Sequence, residues 1–114
     1  MTANAIVLCD VDDIGEGTSK SFTVGTVNLF AIKKSGQIYL YQNRCPHAGL
    51  PLNWLPDQFL DRDGELILCG SHGALFQIET GRCVAGPCAG RHLRAVDFTI
   101  NADNQLQITP PVIT

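Results

Sequence analysis

The sequence predicts an all-β fold, a small antiparallel barrel or sandwich. Three observations carry that expectation. Val, Ile, Phe, Tyr and Thr gather in short runs, the composition of half-buried strands. Turn-forming residues separate the runs: Ser35-Gly36, Asp61-Arg62-Asp63-Gly64, Thr80-Gly81 and Asn101–Asn104. No stretch sustains a 3.6-residue apolar period, so no long helix is expected.

In chain order, the candidate strands are Ala5–Cys9, Ser21–Val24, Asn28–Lys33, Gln37–Gln42, Glu65–Cys69, Leu75–Gln77, His92–Ile100 and Leu106–Ile108. Ala5-Ile6-Val7-Leu8 is a compact apolar run, and Cys9 at its end packs as a small apolar residue. The acids Asp10, Asp12, Asp13 and Glu16 after it belong to a solvated loop. Ser35-Gly36 makes a two-residue hairpin turn between Asn28–Lys33 and Gln37–Gln42. The turn at 61–64 leads into Glu65–Cys69.

Length and composition narrow the function. At 114 residues the chain is expected to form a single domain, residues 1–114, with one core. An apolar fraction of 45% and a charged fraction of 17% argue for a folded rather than a disordered chain. A formal net charge of −3 leaves no basic face of the size nucleic acid requires. No apolar run exceeds five residues, so no span and no membrane partner are expected. The start, Met1-Thr2-Ala3-Asn4, has no signal-peptide pattern, and a cytoplasmic location is expected. In that compartment Cys9, Cys83 and Cys88 read as reduced thiols rather than a disulfide framework.

Two stretches carry the chemistry: Cys45-Pro46-His47-Ala48-Gly49 and Cys69-Gly70-Ser71-His72-Gly73. Each supplies one cysteine and one histidine, with 21 residues between His47 and Cys69. The candidate ligands are therefore Cys45, His47, Cys69 and His72. Each box follows a strand and opens a loop, so the four stand on two loops at one end of the sheets, a rigid scaffold presenting a site. Thiolate and imidazole together suit an iron–sulfur cluster or a structural zinc. Close ligand pairs in zinc sites are usually separated by two or more residues, whereas Cys45-Pro46-His47 has one.

The boxes resemble those of Rieske proteins, and the likeness extends to Pro51-Leu52, Leu75-Phe76 and Gly86-Pro87, roughly from residue 20 to 108. The resemblance implies a Rieske-type fold with a cluster-binding subdomain at about 43–90, and one 2Fe–2S cluster with two thiolates on one iron and two imidazoles on the other. With two ferric ions, two sulfides and two thiolates the oxidised core is neutral. One electron then costs less Coulomb energy than in an all-cysteine cluster, and Rieske potentials span about −150 to +300 mV. Gly49 and Gly73 are expected to bring backbone N–H groups near sulfur, Pro46 to fix its loop, and Gly86-Pro87 to fold over the cluster.

Within the family, high-potential members place a serine and a tyrosine hydroxyl where this chain has Ala74 and Phe76. They also carry a disulfide where it has Leu50 and Ser71. Both departures imply a low potential, as in the soluble Rieske ferredoxins of multicomponent oxygenases. Rieske oxygenases use a separate iron held by two histidines and a carboxylate; outside the boxes only His92 remains here, too few for that triad. No catalytic activity of its own is therefore expected. The resemblance implies an electron carrier between a flavin or iron–sulfur reductase and an oxygenase or other redox acceptor, monomeric and docking transiently. The alternative is a non-catalytic subunit or redox-sensing module of a larger oxidoreductase, as in the small subunit of nitrite reductase. Trp54 is expected to bury apolar area, and His92 to lie on a solvated strand edge.

Overall fold

The computed structural model describes residues 5–24, 27–44, 52, 59–61, 64–69, 73–86 and 90–108. Among the described residues nine strands run in chain order: β1 (Ile6–Asp10), β2 (Ser19–Val24), β3 (Val27–Lys34), β4 (Gln37–Gln42), β5 (Leu66–Leu68), β6 (Leu75–Gln77), β7 (Cys83–Ala85), β8 (Thr99–Ile100) and β9 (Gln105–Ile108). They form three antiparallel sheets of three strands, ordered β1-β9-β8, β2-β3-β4 and β5-β6-β7. Among the described residues the only helical element is a 3-10 turn, Val11–Asp13, and none is long and apolar enough to cross a membrane. The expected all-β class holds.

The β2-β3-β4 sheet is the middle layer, and its alternation shows why. Leu29, Phe30, Ala31 and Ile32 are consecutive and all fully buried, the pattern of a strand covered on both faces. Leu29 and Ala31, with Ile38 and Leu40 of β4, join a cluster with Val11, Ile14, Leu106 and Ile108. Phe30 and Ile32, with Tyr41, face the other way and join Phe59, Ile67, Phe76, Ile78 and Cys83. Phe30 stacks on Phe59 with ring centroids 4.3 Å apart and planes 4° apart. Each such buried side chain contributes about 1.5–3 kcal/mol. Two cores therefore share one sheet, and the second ties it to β5-β6-β7.

Turn chemistry sets the registers. Ser35 and Gly36 both have positive φ, 53° and 76°, as a type I′ hairpin requires. The Glu16 carboxylate accepts both of their backbone N–H groups, at 2.6 and 2.9 Å. Asp61 closes its turn by accepting the Glu65 N–H at 3.0 Å. Asn101 does the same for the N–H groups of Asp103 and Gln105, at 2.9 and 3.0 Å.

Two expectations need correction. The segment His92–Ile100 is not one strand; only Thr99–Ile100 is. It changes partners along its length: His92 bridges Arg82 and Ala95 bridges Tyr41. The Leu93 N–H donates to the Gly81 carbonyl at 2.8 Å, and the Val96 N–H to the Leu40 carbonyl at 2.9 Å. A chain passing from one sheet to the next cannot keep a single ladder. Conversely, β7 was not expected, because Cys83–Ala85 holds a single β-branched residue, Val84, and shows no strand pattern from sequence.

Candidate metal centre

The first box follows β4. Cys45 and His47 lie outside the described residues, but the root of their loop does not. The Asn43 N–H donates to the Asn28 carbonyl at 2.8 Å, fixing the exit from the middle sheet. Its side-chain Oδ1 accepts the Leu52 N–H at 2.7 Å. The amide thus staples the two ends of the loop that carries Cys45 and His47. Leu52 itself is fully buried, so the far end of the loop is anchored in the core.

The second box is the turn between β5 and β6. The Cys69 N–H donates to the Ala74 carbonyl at 2.8 Å, and the Gly73 N–H donates back to the Cys69 carbonyl at 2.9 Å. Gly73 sits at φ 71°, a left-handed conformation costly for residues with a Cβ. His72 lies outside the described residues. Leu52, Cys69 and Ala74 belong to one core cluster, so the roots of both loops converge on the same packed region.

A third segment closes on the second box. After β7 the chain turns at Gly86, φ 98°, whose Cα packs against Ala74. Residues 87–89, with Pro87 and Cys88, lie outside the described residues, as do Trp54, Gly49, Pro46, Leu50 and Ser71. The buried Cys83 thiol donates to the Ala85 carbonyl at 3.2 Å. Cys9 is half-buried in β1, and burial followed by the nearby Asp13 raises its thiol pKa.

Behind the second box, Tyr41 holds the β6–β7 turn. Its hydroxyl donates to the Ile78 carbonyl at 2.6 Å, and its ring packs against Gly81, φ 73°. Burial pushes its pKa up to about 12. At the rim, Lys34 pairs with Glu79 at 2.9 Å and with Glu65 at 3.7 Å, linking the end of β3 to the end of the outer sheet where β5 starts and β6 finishes. The hydrogen bond to Glu79 raises the lysine and lowers the glutamate. Asn43 and Tyr41 were not singled out as site-building residues, and Gly86 was expected to fold over the cluster without its contact to Ala74 being foreseen. Asn at a loop root had a recognisable side-chain role, whereas the contacts of Tyr41 and Gly86 depend on segments distant in sequence.

The surroundings of Cys69 fit an iron–sulfur cluster. The residue is fully buried among Ala74, Phe76 and Leu52. An ionised thiolate there is stable only if a cation meets its charge, and a donor set of two thiolates and two imidazoles suits a 2Fe–2S centre.

The comparisons agree. The family model of the Rieske [2Fe-2S] domain matches residues 4–107. The chain is similar to the ferredoxin component of the alkene monooxygenase system of Xanthobacter autotrophicus, 33% identical over 66% of this chain and 58% of that protein; it thus spans little more than half the length of that relative. It is also similar to the ferredoxin component of the naphthalene 1,2-dioxygenase/salicylate 5-hydroxylase systems of Ralstonia sp, 31% identical over 76% of this chain and 79% of that one. Among solved structures, the ferredoxin of Sphingomonas yanoikuyae B1 superposes with a TM-score of 0.75 at 28% identity, covering 95% of this chain and all of the other. The chain belongs to the Rieske [2Fe-2S] domain family, and its cofactor is a Rieske-type 2Fe–2S cluster.

Proposed function

We propose that the protein is the ferredoxin component of an oxygenase system, taking single electrons from a reductase and passing them to the oxygenase. The observation that carries this reading is its likeness to two such components at 31–33% identity. The cluster supplies a one-electron carrier. Cys45 and Cys69 would hold one iron as thiolates, and His47 and His72 the other as neutral imidazoles. Asn43 holds the first loop closed, the Cys69–Ala74 backbone pair holds the second, and Gly86 brings the third segment against it.

The potential is low for the family. Ala74 and Phe76 are both fully buried against this region, and neither has a hydroxyl to donate to sulfur. Tyr41 has one, but it is given to Ile78. The chain acts as one domain over residues 1–114, with residues 43–90 as the cluster-binding part. It works as a monomer in the cytoplasm, whose reducing conditions suit the three thiols outside the ligand set.

The test is substitution in a relative's system. The reconstituted protein should support turnover of the alkene monooxygenase or naphthalene dioxygenase system from which the native ferredoxin has been omitted. An intact cluster that accepts electrons, supports neither system and copurifies with a larger enzyme would instead favour a permanent subunit.

A further inference from the structure

Charge is unevenly placed in this acidic chain. Residues 10–16 hold four acids and no Lys or Arg, whereas residues 80–96 hold three arginines and His92 with no Asp or Glu. The fold brings two of these basic residues together on one surface. Arg82 and His92 are partners in an antiparallel bridge, so their side chains leave the same side of the ribbon. Leu93 turns inward and is buried, while Arg82, Arg91, His92 and Arg94 are exposed. Val84 lies two residues along β7 from Arg82, on the same outward side as Cys83 turns inward, and is 45% exposed. The result is an aliphatic centre with a basic rim.

Basic residues on a strand edge often serve to block edge-to-edge pairing. That explanation is weak at β7. The Cys83 N–H donates to the Arg91 carbonyl at 2.7 Å, and the Gly90 N–H to the Cys83 carbonyl at 3.1 Å. The backbone of β7 is already covered by residues 90–92, so it needs no charge to guard it. β7 also leads directly into Gly86, which packs against Ala74 of the second box.

Resting on the electron-carrier reading, we infer that the Arg82–Val84–His92 surface is the docking site for an acidic protein partner. The occupant is a protein whose carboxylates ring a small apolar patch. Long-range attraction steers it against the sign of this chain's net charge, and Val84 supplies the desolvated contact. Arg82 and His92 act on the encounter rather than on the cluster.

The experiment uses the cluster-loaded protein and two protein probes of opposite surface charge, acidic plastocyanin and basic cytochrome c. Binding is followed by chemical-shift titration and electron transfer by stopped flow, both between low and physiological ionic strength. Plastocyanin affinity and rate should fall about tenfold as salt is raised. Arg82→Glu should remove most of the low-salt advantage, and Val84→Ser should weaken binding at every salt concentration. Lys20→Glu, the same charge change on β2, should leave at least half of it. None of these should alter the spectrum or the potential. Equal losses from Arg82→Glu and Lys20→Glu, or no salt dependence with plastocyanin, would overturn the docking surface while leaving the carrier reading intact. Charge-dependent plastocyanin binding without any electron transfer would keep the surface and overturn the carrier.

Discussion

Gly86 lies so close to Ala74 that a Cβ at position 86 would come within 2.7 Å of the Ala74 Cα and 3.2 Å of its N and Cβ. Ala74 is also the residue whose carbonyl closes the Cys69 turn. Gly86, directly after β7, is therefore set against the backbone of Ala74, with no room for one methyl group.

Gly86→Ala should force that contact apart and place a side chain at φ 98°. The expected loss of stability is about 2–4 kcal/mol, accompanied by a shifted potential as water gains access to the cluster. Gly90→Ala is the matched control. It carries the same kind of positive φ, 90°, but its added Cβ would meet nothing within 4 Å, so about 1 kcal/mol and an unchanged potential are expected. Thermal melts and redox titrations of the two variants side by side check this.

Asn43→Ala should leave the Leu52 N–H without its side-chain acceptor and loosen the root of the first loop. Loss of that bond costs about 1–2 kcal/mol. The sharper readout is kinetic: a chelator should bleach the visible spectrum several-fold faster than in the wild type. Asn43→Asp keeps an acceptor at the same place and should restore most of the retention time.

Tyr41 gives a prediction in alkali. Its folded-state pKa, about 12, lies above the ordinary value near 10, so folding favours the protonated phenol. The stability this supplies is complete below about pH 10 and is lost as pH rises towards 12. An ultraviolet titration should show Tyr41 ionising together with unfolding. Tyr41→Phe should cost about 1 kcal/mol at neutral pH through the lost bond to Ile78, and should flatten the alkaline fall. A tyrosine that titrates reversibly near pH 10 without loss of structure would contradict the buried hydrogen bond.

The middle sheet and its hairpin were legible because their physics is local. The run Asn28–Lys33 reads as a strand and Ser35-Gly36 as a two-residue turn, while the burial of residues 29–32 on both faces emerges only from the structure. Gln37–Gln42 and Leu75–Gln77 were read with the bounds the structure gives. The segment 92–98 was not legible, because its apolar residues look strand-like while its hydrogen bonds divide between two sheets. At the centre, the candidate ligands Cys45, His47, Cys69 and His72 were proposed from their spacing, and of these only Cys69 lies among the described residues. The Asn43 staple, the Tyr41 brace and the Gly86–Ala74 contact each join residues whose meeting the local pattern does not encode.

Glu16 offers a further check on that hairpin. Two backbone N–H groups, of Gly36 and then Ser35, hold its carboxyl below the usual carboxylate range. The contribution is present above the unfolded pKa of a glutamate and disappears as pH falls through the lowered folded value. Glu16→Gln should therefore destabilise the protein at neutral pH and reduce the acid sensitivity of its unfolding. Ser35→Gly, which relieves the positive φ, should stabilise it by about 0.5–1 kcal/mol. Denaturant midpoints at pH 7 and pH 3–4 would reveal both effects.

The most direct test of the central claim is nitrogen hyperfine spectroscopy on the dithionite-reduced protein, with iron and labile sulfide measured on the same sample. A [2Fe-2S] centre of this family, held as proposed by Cys45, His47, Cys69 and His72, should give equal iron and sulfide and couplings from two imidazole nitrogens. Replacing His47 or His72 with alanine should remove one or abolish the cluster. A colourless protein with zinc, or a cluster unaffected by either replacement, would contradict the account.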